Sequence, residues 1–278
     1  MQTDPPKKSI LDLTAMAGEM LKPKELIELK NTGALTLQDR RVFNKLIENA
    51  WGPNLGRAGH WFQIPTSELR DATDRNKRLG DSVERLMQTI CVVVDEEAEL
   101  IHRTALLSSN RIETNANNGT FYYKLTEELA ELLKDSTIFA KLDLEVMRSF
   151  RSKYAFNLYE AIARRVRLRK FTDTLTVEQL RDMLGVEEGK LDTYRNLNLR
   201  AIQPALEEVN AITPYQVSIL PKKKGRKVES FIMGWSVKDT DGMQKAYKEL
   251  QQPKVGRRAR VDDKTDTITT HSADEVTE

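Results

Sequence analysis

Asp192–Trp235 reads DTYRNLNLRAIQPALEEVNAITPYQVSILPKKKGRKVESFIMGW, and it divides into a helix and a hairpin. Leu199, Ile202, Leu206 and Val209 recur at helical spacing, which predicts one buried stripe and leaves Arg195, Asn196, Asn198, Arg200 and Gln203 facing away from it. Pro204, inside the helix, removes one hydrogen bond and predicts a kink or a restart. Tyr215–Leu220 and Val228–Ser236 carry the β-branched and aromatic residues of strands. The turn between them, PKKKGRK, places five cations at a hairpin tip. Just upstream, Leu175–Leu184 (LTVEQLRDML) predicts a short helix with Thr176 as N-cap and Gly185 as stop. Two short helices around a turn, followed by a hairpin, outline a winged helix. Arg pairs with guanine, and Asn or Gln with adenine, while so basic a loop suits phosphate, so the expected ligand is DNA. A solvated, solubilising loop is the other reading of the lysine turn.

A second copy of this pattern lies upstream. Trp61–Ile64 is a short apolar run, and Pro65–Thr73 (PTSELRDAT) predicts a helix capped by Thr66 or Ser67. Asp74 then caps a longer helix, RNKRLGDSVERLMQTI, in which Leu79, Val83, Leu86, Met87 and Ile90 keep helical period. Its first turn is Arg75, Asn76, Lys77 and Arg78, and the N-terminal residues of a second helix are those that meet bases in helix-turn-helix proteins. A surface helix with a basic start accounts for these four equally well. Cys91–Asp95, Leu100–Leu107 and Thr120–Leu125 read as strands and would form this unit's wing.

Between the two units, Val146–Lys170 (VMRSFRSKYAFNLYEAIARRVRLRK) reads as one long helix with Phe150, Tyr154, Leu158, Ile162 and Val166 along its seam. Arg164, Arg165, Arg167, Arg169 and Lys170 crowd its end. Cations there favour the helix dipole, but five in seven residues exceed what a helix end requires, so phosphate contact is the preferred reading.

With these residues in view, the chain resembles the iteron-binding plasmid replication initiators. The resemblance rests on SKYAFNLYEAIARR, LTVEQLRDMLGV, the Tyr194 helix with AIQPALEEVNAIT, and a basic wing ending in KVESFIMGW. It is strongest over residues 147–237 and colinear from about residue 25. The fold it implies is α+β and predominantly helical, two tandem winged helices: a flexible segment at 1–24, a first domain at 25–146 for dimerisation and auxiliary DNA contact, a second at 147–238 for the origin repeats, and a flexible polar tail at 239–278. By position, Arg195, Asn198, Arg200 and Gln203 would read bases, with Lys222, Lys223, Lys224, Arg226 and Lys227 on the backbone. The implied partners are direct repeats at an origin, an inverted repeat at the protein's own promoter, a second copy of the chain, the host initiator ATPase and the replicative helicase. Leu197 and Leu199 stand where the family often has an aromatic residue, and the acidic-rich tail has no counterpart in it.

Composition agrees with two ordinary domains. The chain has 278 residues, 39% of them hydrophobic, and a net charge of +2. Local charge governs phosphate attraction, and here the bases are gathered into patches. There is no apolar run of membrane-span length and no signal-peptide stretch at the start, so a cytoplasmic protein without membrane contact is expected. The single cysteine, Cys91, lies in an apolar CVVV run and reads as a buried strand residue. His60, His102 and His271 are too scattered for the metal site of a nickase, and GVEEGKL at Gly185–Leu191 is one residue short of a phosphate-binding loop. One cysteine excludes a zinc finger, and DTDG at Asp239 lacks the downstream Glu of a calcium loop. No catalytic constellation, cofactor or metal is expected. Beyond Asp239 a short helix fits Met243–Leu250, and GRRAR at Gly256–Arg260 is a basic cluster that either adds nonspecific DNA affinity or has no specific purpose. A winged-helix transcription regulator without a replication role and a structural or partition DNA-binding protein are the alternative functions.

Overall fold

The computed structural model describes residues 9–69, 76–95, 99–113 and 119–261. In chain order its first elements are β1 (Glu19–Pro23), α1 (Lys24–Ile27), α2 (Leu37–Ala50), β2 (Phe62–Pro65), α3 (Asn76–Gln88), β3 (Cys91–Asp95), β4 (Leu100–Thr104), β5 (Leu107–Ile112), β6 (Thr120–Leu125), α4 (Glu127–Lys134), β7 (Phe139–Asp143) and α5 (Leu144–Ser149). There follow α6 (Lys153–Arg165), β8 (Thr172–Thr176), α7 (Val177–Leu184), α8 (Tyr194–Leu197), α9 (Gln203–Ile212), β9 (Tyr215–Lys224), β10 (Lys227–Val237), α10 (Thr240–Leu250) and α11 (Arg257–Val261).

Helix α2 begins where Thr36 and Asp39 satisfy each other's backbone N–H groups as a capping box. Val42, Phe43, Leu46, Ile47 and Ala50 form its buried face. The face packs on a three-stranded antiparallel sheet in the order β2-β6-β5, whose middle strand buries alternate residues Phe121, Tyr123 and Leu125, as the period of a half-buried strand requires. Tyr123 donates its hydroxyl to the Leu46 carbonyl at 2.6 Å, which satisfies the one polar atom that this ring would otherwise bury. Helix α3 closes the unit with Leu79, Val83 and Leu86 inside. The second unit repeats the plan with α6, α7 and α9 over a sheet of order β8-β10-β9, where Val217, Ile219, Phe231, Met233 and Trp235 point inward. Both units therefore show the winged-helix arrangement, with the last strand in the middle of the sheet.

Three local expectations give way. Val146–Lys170 is not one helix: α5 stops at Ser149, Phe150 and Ser152 are extended, and α6 ends at Arg165. Phe150 is fully buried against Phe156 and Tyr159, so its seam-like spacing reflects core packing at a corner. Leu100–Leu107 breaks into β4 and the start of β5, and the β3–β4 hairpin forms its own two-stranded sheet beside the wing. Pro65 closes β2, and only Thr66–Leu69 follows as a 3₁₀ turn; the remainder of the expected Pro65–Thr73 helix and the Asp74 cap lie outside the described residues.

The segments expected to be flexible are also corrected in part. Ile10 and Leu11 are buried, and β1 pairs along its whole length with β7. Within the tail, α10 and α11 pack onto α9 through Ala246, Leu250 and Arg257. Helix α10 covers the short helix expected at Met243–Leu250, and what the sequence did not announce is its docking, which is held by partners distant in sequence. The expectations for residues 1–8 and 262–278 lie outside the described residues.

The two units share one continuous core and a buried polar layer. Lys22 of β1 donates to Asn44 of α2 at 2.8 Å and to both carboxylate oxygens of Glu160 of α6 at 2.8 and 2.9 Å, and Asn44 donates to Glu160 at 2.7 Å. Burial pulls the Lys22 ammonium below its usual range, and Glu160 offsets part of that shift. Beside it, Arg40 is pushed by burial down to about 10 and donates to the Thr32 carbonyl at 2.7 Å. Gly33 lies so close to Glu187 that a Cβ there would sit 2.4 Å from the Glu187 Cα.

Candidate nucleic-acid interface

Helix α7 starts as the sequence predicts: Thr176 and Gln179 form a capping box, and Gly185 ends the helix in the left-handed region at φ +66°. Thr193 caps α8 by accepting from the Asn196 backbone at 3.3 Å, and the Tyr194 ring sits 6.1 Å from that of Phe231, pinning the helix start to the sheet. Between α8 and α9, Asn198–Ile202 is wound as a π turn, with the Gln203 N–H reaching back to the Asn198 carbonyl. Pro204 explains this. It has no N–H for the Arg200 carbonyl, and its ring would collide with that carbonyl in a regular helix, so the preceding turn widens.

The wider turn changes which residues face outward. Leu197, Ala201, Ile202, Ala205, Val209 and Ile212 are buried, whereas Leu199, expected on the stripe, is 58% exposed. Arg195, Asn196, Arg200 and Gln203 are exposed and Asn198 is half-buried, accepting from the Gln203 side chain at 3.3 Å. The expected outward set thus stands on one accessible surface, with Leu199 added to it.

The wing projects beside that surface. Strands β9 and β10 pair from Tyr215↔Val237 out to Lys224↔Lys227, and the tip turns through Gly225 at φ +62°, a conformation suited to a glycine-first two-residue hairpin loop. Lys222, Lys223, Lys224, Arg226 and Lys227 are all exposed, and among the described residues none of them has an ion-pair partner. Crowding like charges without counter-ions raises the local positive potential. The wing's angle to the helix is set by Asn210, which the sequence reading passed over. Its side chain donates to the Val217 carbonyl at 2.9 Å and accepts from the Val217 N–H at 2.8 Å. Lys238, also passed over, donates to the Thr213 carbonyl at 2.9 Å. A polar residue within an apolar helix face (EVNAIT) was the available signal for Asn210.

The structure divides the cations at the end of α6. Arg164 and Arg165 turn inward: Arg164 is bonded to Glu28, and Arg165 lies 3.5 Å from Asp173 and donates to the Ala161 carbonyl at 3.1 Å. One carboxylate from a distant segment, Glu28, and one from the strand that follows, Asp173, claim them, and both lie outside the run itself. Arg167, Arg169 and Lys170 are exposed, Lys170 lying 3.2 Å from Asp173.

In the first unit, Arg78 stands exposed near the start of α3; Arg75 and the side chains of Asn76 and Lys77 lie outside the described residues. The same helix carries Asp81 and Glu84, and Arg85 is committed to Asp39 through bonds of 2.7 and 2.8 Å. On the outer face of this unit's sheet Arg111 lies 4.5 Å and Lys124 5.1 Å from the centre of the Trp61 ring, with the Glu113 carboxylate close by, accepting from the Tyr122 hydroxyl at 3.0 Å. Cys91 is fully buried, with its thiol pushed by burial up to about 12, as expected of a structural strand residue.

Residues 19–163 match the family model described as Initiator Replication protein, WH1, and residues 176–235 match that described as Initiator Rep protein, WH2. No curated protein matches the sequence. Among solved structures, the fold is similar to that of the Pi initiator protein in complex with iteron DNA, at 15% identity and a TM-score of 0.56, covering 80% of this chain and 98% of that one. No helix among the described residues is long and apolar enough to cross a membrane.

Proposed function

The chain belongs to the initiator Rep protein family, and from that membership we propose that it is a plasmid replication initiator that binds direct repeats of double-stranded DNA at its origin. The observation that carries this reading is the uncompensated cationic wing beside the accessible α8–α9 surface. In it, Arg195, Asn198, Arg200 and Gln203 meet base edges, while Lys222, Lys223, Lys224, Arg226 and Lys227 meet phosphates. The Pi initiator, whose fold is similar, was crystallised with iteron DNA.

Several copies on adjacent repeats would strain the duplex and help open a neighbouring A+T-rich stretch, whose flexible steps lower the cost of deformation. The first unit, residues 25–146, serves dimerisation and auxiliary DNA contact, and the second, residues 147–238, serves the repeats. The host initiator ATPase and replicative helicase join after melting, the dimer represses the protein's own promoter, and the protein acts in the cytoplasm. None of these roles requires catalysis by the chain. A nuclease footprint on the DNA around its own gene, at near-physiological salt, tests the reading. Protection of a series of direct repeats beside an A+T-rich tract is expected; protection of a single inverted repeat at the promoter alone would overturn it in favour of a transcription regulator.

A further inference from the structure

The basic run Gly256–Arg260 does not face solvent as a free patch. Arg257 is buried, donates to the Ser149 carbonyl at 2.9 Å and lies 3.3 Å from Glu249. Arg260 donates to both oxygens of Glu249 at 2.7 and 3.0 Å and to the Pro253 carbonyl at 2.7 Å, and Arg258 reaches Glu207 of α9 at 3.3 Å. Gly256, at φ +81°, makes the left-handed turn that leads into α11. The other end of the contact is the extended corner between α5 and α6. Its Arg151 N–H donates to Glu208 of α9 at 2.8 Å, the Arg151 side chain donates to the Lys254 carbonyl at 3.2 Å, and Lys254 donates to the Arg148 carbonyl. Gln251 donates to Glu145 of α5 at 2.8 Å. Helices α10 and α11 contribute only Ala246, Leu250 and Arg257 to the interior, too little for a core of their own, so their order comes from this docking.

We propose that α10 and α11 form a strap that fastens α9, inside the stretch matched by the WH2 family model, to the α5–α6 corner, inside the stretch matched by the WH1 family model, and so sets the angle between those two winged-helix regions, with Arg257 and Glu249 as positioning residues. The inference rests on the reading of the protein as a binder of origin repeats with both units. It gives the arginine cluster a use that needs no DNA contact, and the two uses predict opposite signs. Glu249→Ala keeps every cation but removes the carboxylate that holds Arg257 and Arg260, leaving them only their bonds to backbone carbonyls. A strap predicts that affinity for a duplex carrying the wild-type footprint falls about tenfold, roughly the worth of one charge-assisted hydrogen bond. In a hydroxyl-radical footprint, protection should fade at one end of each repeat and persist at the other. In the free protein, hydrogen exchange at the Arg151 amide should quicken.

A rise in affinity would overturn the proposal, because the two arginines would then be DNA contacts. So would unchanged affinity and exchange, or equal fading at both ends. If the alanine variant folds poorly, Glu249→Gln, which keeps the side-chain shape, must show the same asymmetry at smaller amplitude. If the wild type itself protects no repeats, the functional reading fails, and the exchange measurement still decides the strap.

Discussion

The two winged-helix units share a sheet order and differ in what they display. In each, the last strand lies in the middle, β6 between β2 and β5, β10 between β8 and β9. The second unit extends its two wing strands to Lys224 and Lys227 and leaves the tip uncompensated. The first has six-residue wing strands, carries Asp81 and Glu84 on α3, and commits Arg85 to a buried carboxylate. Identical topology thus carries a cationic wing without ion-pair partners in one unit and, among the described residues of the other, an α3 arginine paired with a buried carboxylate, because function resides in sites placed on a fold.

The comparison breaks first at the joint between the units. Replacing Glu160 by Ala leaves Lys22 buried without its counter-charge, and a loss of about 3–5 kcal/mol is expected in urea unfolding. A triple change of Lys22 and Glu160 to Met with Asn44 to Leu, which leaves no member of the buried network unpaired, should recover most of it. Next is the internal commitment of the first unit. Burial alone would raise the Asp39 carboxyl, but bonds from Arg85 and the Thr36 cap outweigh it and hold it below the ordinary 3.8. The stabilisation is therefore complete above the ordinary carboxylate range and is lost as pH falls through the lower, folded value. Asp39→Asn should cost about 1.5–3 kcal/mol at neutral pH, and the gap to wild type should close on acidification in a pH series of denaturant melts.

A smaller effect compares the two helices proposed to meet bases. Arg200→Ala should relax sequence preference by roughly 1–3 kcal/mol at one base position, while Arg78→Ala should shift it by no more than about 0.5 kcal/mol; competition binding with substituted duplexes checks both. Equal losses would mean that the first unit reads bases as well. Least in size, Lys223→Ala should weaken binding to all sequences alike and lower the salt slope by about 1. Lys124→Ala, beside Trp61, should lower it less.

The second unit was the more legible from sequence because its signals are local. Thr176, Gln179 and Gly185 fix α7 through bonds within a few residues, and the two strands around PKKKGRK are adjacent in the chain. Leu199 was misplaced because a helical period assumes a uniform turn, and one proline changed it. Helix α2 went unread although Thr36, Asp39 and the Val42–Ala50 spacing announce it. Arg164 and Arg165 were misjudged because their carboxylates come from Glu28 and Asp173, and pairing across 136 residues, as between Arg164 and Glu28, leaves no local trace. Strand β1 and the docking of the strap share that difficulty: the α10 helix was legible at Met243–Leu250, but the surfaces that order it are contributed from elsewhere.

The π turn at Asn198–Ile202 holds one residue more than the regular helix would need. A helix advances about 100° per residue, so the loss of a single residue there, together with Pro204, would turn Arg195 and Asn196 by that angle relative to Gln203 and leave both ends intact. An insertion or deletion inside the helix can therefore turn the side chains before the π turn relative to those after it, changing the display of this surface while conserving its chemistry.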